Sequence, residues 1–249
     1  MYSLRGNASL ILISSAKYVF PYVFAYGQHC NTNTAWTINY APNMREANIH
    51  MWTTQGLSIG DKLRACFDQA NFVQYGTHER RTLKHLHFQR RCCECERCKD
   101  PTELGSMASA LRCSKCQDGF VLPLNPLEDD SAWKCTYEAC AQQMESQVVF
   151  NNFHAIAEEI RSAKDSIGSL LKLLKKHKQD LHPQHYLIAR AADRIVELGW
   201  LDIKSKKFES MNMYNFKPLV EAANICLSFA DVVSPGLTRQ RGNERVRHV

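Results

Sequence analysis

Three cysteines fall within six residues, Cys93, Cys95 and Cys98. Thiolates this close can wrap one side of a tetrahedral ion, and zinc suits sulfur ligands. The run cannot also place a fourth ligand nearby, and structural zinc almost always has four. A distant residue must close the site, and Cys30, Cys66, Cys92 and the nearby histidines are candidates. Arg90, Arg91 and Arg97 flank the run and would favour the metal-binding thiolates by lowering their pKa values.

A second constellation follows. Cys113-x2-Cys116 and Cys135-x4-Cys140 are separated by eighteen residues, within the zinc-ribbon range, with the second pair looser than the usual two-residue gap. The competing reading is two disulfides or free core cysteines. The chain has 11 cysteines, an odd number, eight of them crowded between residues 92 and 140. A secreted disulfide framework is more often even and spread along a short chain, so the pattern implies zinc in a reducing compartment, cytoplasmic or nuclear. Cys66 is a candidate catalytic nucleophile, but nothing fixes a histidine partner among the 10 histidines, and a buried strand cysteine is the simpler reading.

These residues need elements to position them. A chain of 249 residues can bury a real core, as one large domain or two small ones. Its hydrophobic share of 45% and charged share of 22% exclude wholesale disorder, collagen-like repeats and coiled-coil composition. A net charge of +6 is compatible with an acidic partner without demanding nucleic acid. Two apolar runs, 8–13 and 18–26, are split by Lys17 and interrupted by Pro21. Both are too short to span a membrane. Arg5 and Ser14-Ser15-Ala16 make a signal peptide conceivable, but the simpler expectation is the start of buried strands or turns.

Residues 1–68 read as β-rich. Trp36, Ile38 and Tyr40 alternate on one face, as do Ala47, Ile49 and Met51, with Pro42-Asn43 as the turn. Gly60-Asp61 marks a tight turn and 63–67 a short strand. Residues 69–145 show little periodicity, so metal crosslinks are expected to supply their order. In 146–235 the residues Phe153, Ile156, Ile160, Ala163, Ile167, Leu170 and Leu174 form one helical face, with lysines near its C-terminus. Leu187, Ala191, Ile195 and Leu198 form a second helix capped by Gly199, and Leu219, Ala222, Ala223, Cys226 and Phe229 a third, ended by Pro235-Gly236. Three such helices suggest a tetratricopeptide-like layer, although no strict repeat is present. Residues 236–249 form a basic tail. The fold class expected is α+β.

The order of these pieces resembles the SET-and-MYND (SMYD) family, especially its arthropod SmydA-like branch. Arg91-Cys92-Cys93-Glu94-Cys95-Glu96-Arg97-Cys98 and its continuation to Ser106 is similar to the family's post-SET segment. Ser109 to Cys113, Pro123 to Leu127 and Trp133-Lys134-Cys135 continue it. Leu181-His182-Pro183-Gln184-His185-Tyr186 and Pro235 to Gly242 resemble segments of its helical domain. The likeness spans roughly 19–242. It implies a partial SET domain over 1–68, a zinc-binding post-SET segment with a ribbon-like part over 69–145, and a helical domain over 146–235.

The resemblance implies transfer of a methyl group from S-adenosylmethionine to a protein lysine. Positioning and water exclusion would dominate that reaction. It also implies that Cys30 closes the Cys93, Cys95, Cys98 set, because 27–33 matches the family's Asn-His-Ser-Cys-x-Pro-Asn-type segment. The departures lie at the cofactor and catalytic places. Gly27 and Gln28 stand where the family has Asn and His, and Arg91 stands where an aromatic lies by the adenine. Phe67 stands where the catalytic tyrosine carries its hydroxyl. Loss of one preorganised dipole can cost about 3–4 kcal/mol of barrier. The early SET strands, the cofactor loop and a MYND zinc cluster are also missing, as in a truncated product.

Three functions follow as expectations. The first is a methyltransferase homologue, impaired in catalysis, acting on a histone or other lysine-containing protein. The second is a non-catalytic, zinc-stabilised module that binds a protein or peptide. The third, a nucleic-acid-binding zinc ribbon, is supported by spacing and the Arg-rich tail but opposed by the lack of an aromatic-and-basic stripe.

Overall fold

The structure is a computed structural model that describes residues 10–13, 16–19, 27–40, 47–66, 74–88, 93–205 and 216–236. It is a mixed α+β chain with small sheets and, among the described residues, six helices. Strands β1 (Leu10–Ile13) and β2 (Ala16–Val19) pair antiparallel. Strand β4 (Thr34–Tyr40) pairs antiparallel with β5 (Ala47–Thr53). Their register sets Trp36 against Met51, Ile38 against Ile49 and Tyr40 against Ala47, so the two alternating faces form one face. The Pro42-Asn43 turn lies outside the described residues. Gly60 makes the expected turn with φ +96°, where Asp61 N–H donates to Ser58 O. Within the strand expected at 63–67, β6 (Arg64–Ala65) pairs parallel with β3 (Gly27–Gln28), and Phe67 lies outside the described residues.

Residues 74–145 are far more regular than their sequence suggests. Helix α1 covers Thr77–Phe88 and a single turn, α2, covers Glu96–Lys99. Strands β7 (Leu111–Arg112), β8 (Phe120–Pro123), β9 (Trp133–Cys135) and β10 (Gln143–Met144) form an antiparallel sheet in the order β10-β9-β8-β7. Strands of two to four residues are too short to show an alternation. Among the described side chains of helix α1, the buried positions Thr77, Arg80 and Arg81 are polar, so the inward face gives no apolar signal there.

Among the described residues the helical layer holds four helices rather than three: α3 (Ser146–Ser162), α4 (Ile167–His177), α5 (Tyr186–Ser205) and α6 (Lys217–Val233). The long face read from 153 to 174 breaks at 163–166. There Ser166 caps α4 by accepting from Ser169 N–H. The apolar stride carries on across the break, which is why the sequence reads as one helix. Gly199 is not a cap but lies inside α5. A Cβ there would lie 2.4 Å from Leu219 Cδ2, so the glycine permits close approach of α5 and α6.

One core joins the sheet to the helices. Leu111, Val121, Trp133 and Cys135 are buried with Phe153, Leu170, Leu187 and Ile195. Each fully buried aliphatic side chain there contributes about 1.5–3 kcal/mol. Backbone bonds stitch the layers: Arg112 N–H to Asp180 O at 2.8 Å, His182 N–H to Ala110 O at 3.0 Å, and Tyr186 N–H to Ala108 O at 2.9 Å. A second small core consists of Cys30, Cys95 and Cys98, with Cys66, Cys93 and Leu127 packed against it. Among the described residues, no helix is long and apolar enough to cross a membrane.

Candidate metal centres

The first group brings Cys30, Cys93, Cys95 and Cys98 together, with all four sulfurs within 4.8 Å of one another. Cys95 starts α2, whose single turn carries Cys98 back over it: Cys98 N–H donates to Cys95 O at 2.9 Å. Cys30 arrives from the loop after β3. That loop is fixed by His29 N–H to Ala65 O at 3.0 Å and by Asn33. The Asn33 side chain donates to Lys62 O at 2.9 Å and accepts from Arg64 N–H at 2.7 Å. Cys30 Sγ stands 3.8 Å from Cys93 Sγ and 3.6 Å from Cys98 Sγ.

These spacings discriminate between chemistries. A disulfide needs about 2.05 Å between sulfurs. Four thiolates at about 2.3 Å from a tetrahedral ion lie about 3.8 Å apart. The second group has the same edges. Cys113 and Cys140 are 3.7 Å apart, as are Cys116 and Cys135. None of the eight cysteines forms a disulfide. The two groups can therefore hold two metal ions, and the donor sets fit a soft, tetrahedral divalent ion.

The second group is built on turns. Gln117 N–H donates to Cys113 O at 3.1 Å, and Gln117 itself is left-handed with φ 63°. Cys113 N–H donates to Gly119 O at 2.9 Å. A Cβ on Gly119 would lie 2.5 Å from Cys135 Sγ. Cys140 returns through its N–H bond to Tyr137 O at 2.9 Å. Burial alone would raise the Cys113 thiol, but backbone N–H groups of Cys116 and Lys115 outweigh it and bring it to about 7. Burial pushes Cys135 up to about 12.

In the first group the sulfurs share protons. The bond with Cys93 brings Cys30 down to about 5, and the bond with Cys30 pushes Cys98 up. Thiols bind a divalent cation as thiolates, so an ion held here would displace their protons.

Behind the first group lies a buried charge network that sequence reasoning missed. Arg80 is wholly buried. It donates to Glu103 Oε2 at 2.6 Å, to Thr77 Oγ1 at 2.8 Å and to Cys98 Sγ at 3.7 Å. Arg97 Nη1 donates to Cys30 O at 3.4 Å, and its Nη2 forms an ion pair with Glu103 Oε2 at 3.1 Å. The other oxygen of Glu103 accepts from Ser109 Oγ at 2.5 Å and Thr77 N–H at 3.2 Å. Burial alone would raise the Glu103 carboxyl, but Arg80 and then Arg97 hold it below the usual carboxylate range. Glu103 enters from a left-handed turn, with φ 54° there and 60° at Leu104, pinned by Asp100 accepting from the N–H groups of Thr102 and Leu104. The one sequence signal was Arg80-Arg81 inside a polar segment.

Gly27 and Gln28 run in β3, beside Arg64 and Ala65 of β6. Phe67, Arg91 and Cys92 lie outside the described residues. Cys66 packs against the first group without joining its four sulfurs, and its carbonyl accepts from Trp36 Nε1 at 2.7 Å. His29 is also outside that set.

No protein-family model matches the chain, and no curated protein matches it.

Proposed function

We propose that this chain is a homologue of SET-and-MYND protein-lysine N-methyltransferases, held by two zinc ions and impaired in methyl transfer. The observation that carries the reading is the closing of the Cys93, Cys95, Cys98 set by Cys30, the residue that the resemblance requires and that a four-coordinate ion needs. A second support is the parallel pairing of Gly27–Gln28 with Arg64–Ala65, which brings the cofactor-place strand beside the stretch leading to Phe67.

The residues present fit zinc better than they fit S-adenosylmethionine. Gly27 offers no side-chain donor or acceptor in β3, and Phe67 has no hydroxyl. The chain's own residues support organisation: the zinc centres order short strands and turns against a helical layer, whose tetratricopeptide-like stacking suits a protein or peptide partner.

Two measurements separate the readings. Labelled methyl transfer from S-adenosylmethionine to a histone and peptide panel should be weak in the parent and rise in Phe67→Tyr. A Phe67→Tyr variant as slow as the parent removes this account of Phe67. Calorimetry with S-adenosylmethionine separates an impaired enzyme from a non-catalytic interaction module. Cofactor binding favours the enzyme, and none alongside stoichiometric zinc favours the module.

A further inference from the structure

We infer that Arg80 and Arg97 are positioning residues for the first metal centre, a pair of buried cations that offset its charge and aim hydrogen bonds at its two arms, with Glu103 holding the pair in register. The inference rests on the reading of Cys30, Cys93, Cys95 and Cys98 as metal ligands. A divalent ion bound by four thiolates carries a net charge of minus two. Cys30 and Cys98 are wholly buried, so water reaches little of that charge.

Arg80 and Arg97 supply two positive charges and Glu103 one negative, a net charge of plus one that offsets part of the centre's minus two. Arg80 touches Cys98, on the arm from the three-cysteine run. Arg97 touches the carbonyl of Cys30, on the distant arm. Glu103 sits between the two guanidiniums and binds both through one oxygen, while its other oxygen is held by Ser109 and Thr77. Two cations facing each other would repel, and the carboxylate makes their neighbourhood stable. A hydrogen bond from a cation also draws electron density from the thiolate, which makes the sulfur less basic and less open to attack.

The second centre is served differently. The Tyr137 N–H donates to Cys135 Sγ at 3.4 Å, and the backbone N–H groups of Cys116 and Lys115 serve Cys113. These donors are neutral. Each centre has one half-buried ligand, Cys93 in the first and Cys116 in the second, so burial does not separate them. The two centres share their ligand type and geometry but differ in what stands behind the ligands. The first should hold its ion against chelators and thiol alkylation longer than the second.

The experiment loads the full chain with cadmium-113 and reads one resonance per centre, assigned by the signal that Cys30→Ser removes. Arg80→Lys keeps the charge but loses the fork that reaches Cys98, Thr77 and Glu103 together. The expected result is a shift of the first-centre resonance alone, with about tenfold or greater faster release of that ion to a chelator. Arg97→Lys should act in the same direction. The unmoved second-centre resonance reports that the fold survives. Three results overturn the inference. One is a first-centre signal that keeps its position and release rate in Arg80→Lys. Another is the loss of both resonances together, which makes Arg80 a general folding residue. The third is a parent chain with no first-centre signal, which removes the metal reading itself.

Discussion

The sulfur of Cys30 stands 3.6 Å from that of Cys98, across 68 residues of chain. Nothing local brings them together, so their approach reports the tertiary arrangement of the loop after β3 against α2. A metal ion bound there would crosslink two remote segments and contribute its binding energy to folding. Native mass spectrometry of the purified chain should find two zinc ions. Cys30→Ser should carry one, and Cys113→Ser with Cys135→Ser should carry the other one. A parent chain with fewer than two ions would refute the assignment of both centres.

Glu103 is the keystone of the buried network, and removing its charge leaves Arg80 and Arg97 facing each other without compensation. Breaking a buried charge pair from one side typically costs about 3–5 kcal/mol. Glu103→Gln should lower stability by that order in urea unfolding, at constant zinc. The folded carboxyl lies below its unfolded value of 4.5, so the unfolded chain binds more protons as the pH falls through that region. The stability that Glu103 contributes is therefore complete above about pH 5 and is lost on further acidification. Glu103→Gln should remove that part of the acid dependence, and an unchanged acid limb would count against it.

His185 offers a separate pH dependence. Its ring is wholly buried between Phe153 and Tyr186, and Nδ1 accepts from Leu187 N–H at 3.1 Å at the start of α5. Burial lowers it from 6.5 to about 3. Between those values the unfolded chain binds a proton that the folded chain refuses. Stability is thus full above pH 6.5 and falls as the pH drops, by up to about 1.4 kcal/mol per unit. His185→Asn keeps a cap acceptor without the titration. Its unfolding free energy should be lower at pH 7.5 yet flatter between pH 6.5 and 5 than the parent's. Equal slopes would rule out His185 as the source.

Metal-ligand spacing was legible because it is local: Cys93, Cys95 and Cys98, or Cys113 and Cys116, declare themselves within a few residues. The faces of α5 and α6 were legible because Leu187, Ala191 and Ile195, or Ala222, Cys226 and Phe229, follow the helical stride into one core. Two elements escaped because a polar residue is turned inward or the strand is very short. Helix α1 turns Arg80 inward, where it meets Glu103 and Cys98 rather than leucines. Strand β7 is only two residues long, and its place is set by pairing with β8 and by Leu111 bridging to Leu181. The break between α3 and α4 escaped because Ala163 and Ile167 continue the apolar stride on either side of it. Gly199 looked like a cap because sequence shows a missing side chain but not the Leu219 that fills the space.

Gly119 tests the second centre by geometry alone. A methyl group there would press on Cys135 Sγ at 2.5 Å and on Tyr137 Cβ at 2.9 Å. Gly119→Ala should displace a ligand and cost the chain its second ion, while the first ion stays. Metal analysis of the variant checks this, and two ions retained at parent affinity would show that the turn can yield.

The last expectation concerns how the helical layer closes on the β-region. Gly236 follows α6 with φ +90°, and a Cβ on it would lie 1.9 Å from Thr54 O. Thr54 N–H in turn donates to Asn33 O at 3.0 Å, in the loop that carries Cys30. Gly60 has a similar φ of +96° but open space around it. Gly60→Ala should therefore cost only the conformational term, about 1–2 kcal/mol. Gly236→Ala should add an overpacking term of about 1–3 kcal/mol, because the obstacle is backbone rather than a flexible side chain. Urea unfolding of both variants at constant zinc measures the difference. Equal losses would mean that residue 236 and Thr54 do not bear on each other in solution. A larger loss at Gly236, with faster release of the first metal ion, would show that the end of α6 braces the loop on which Cys30 is carried.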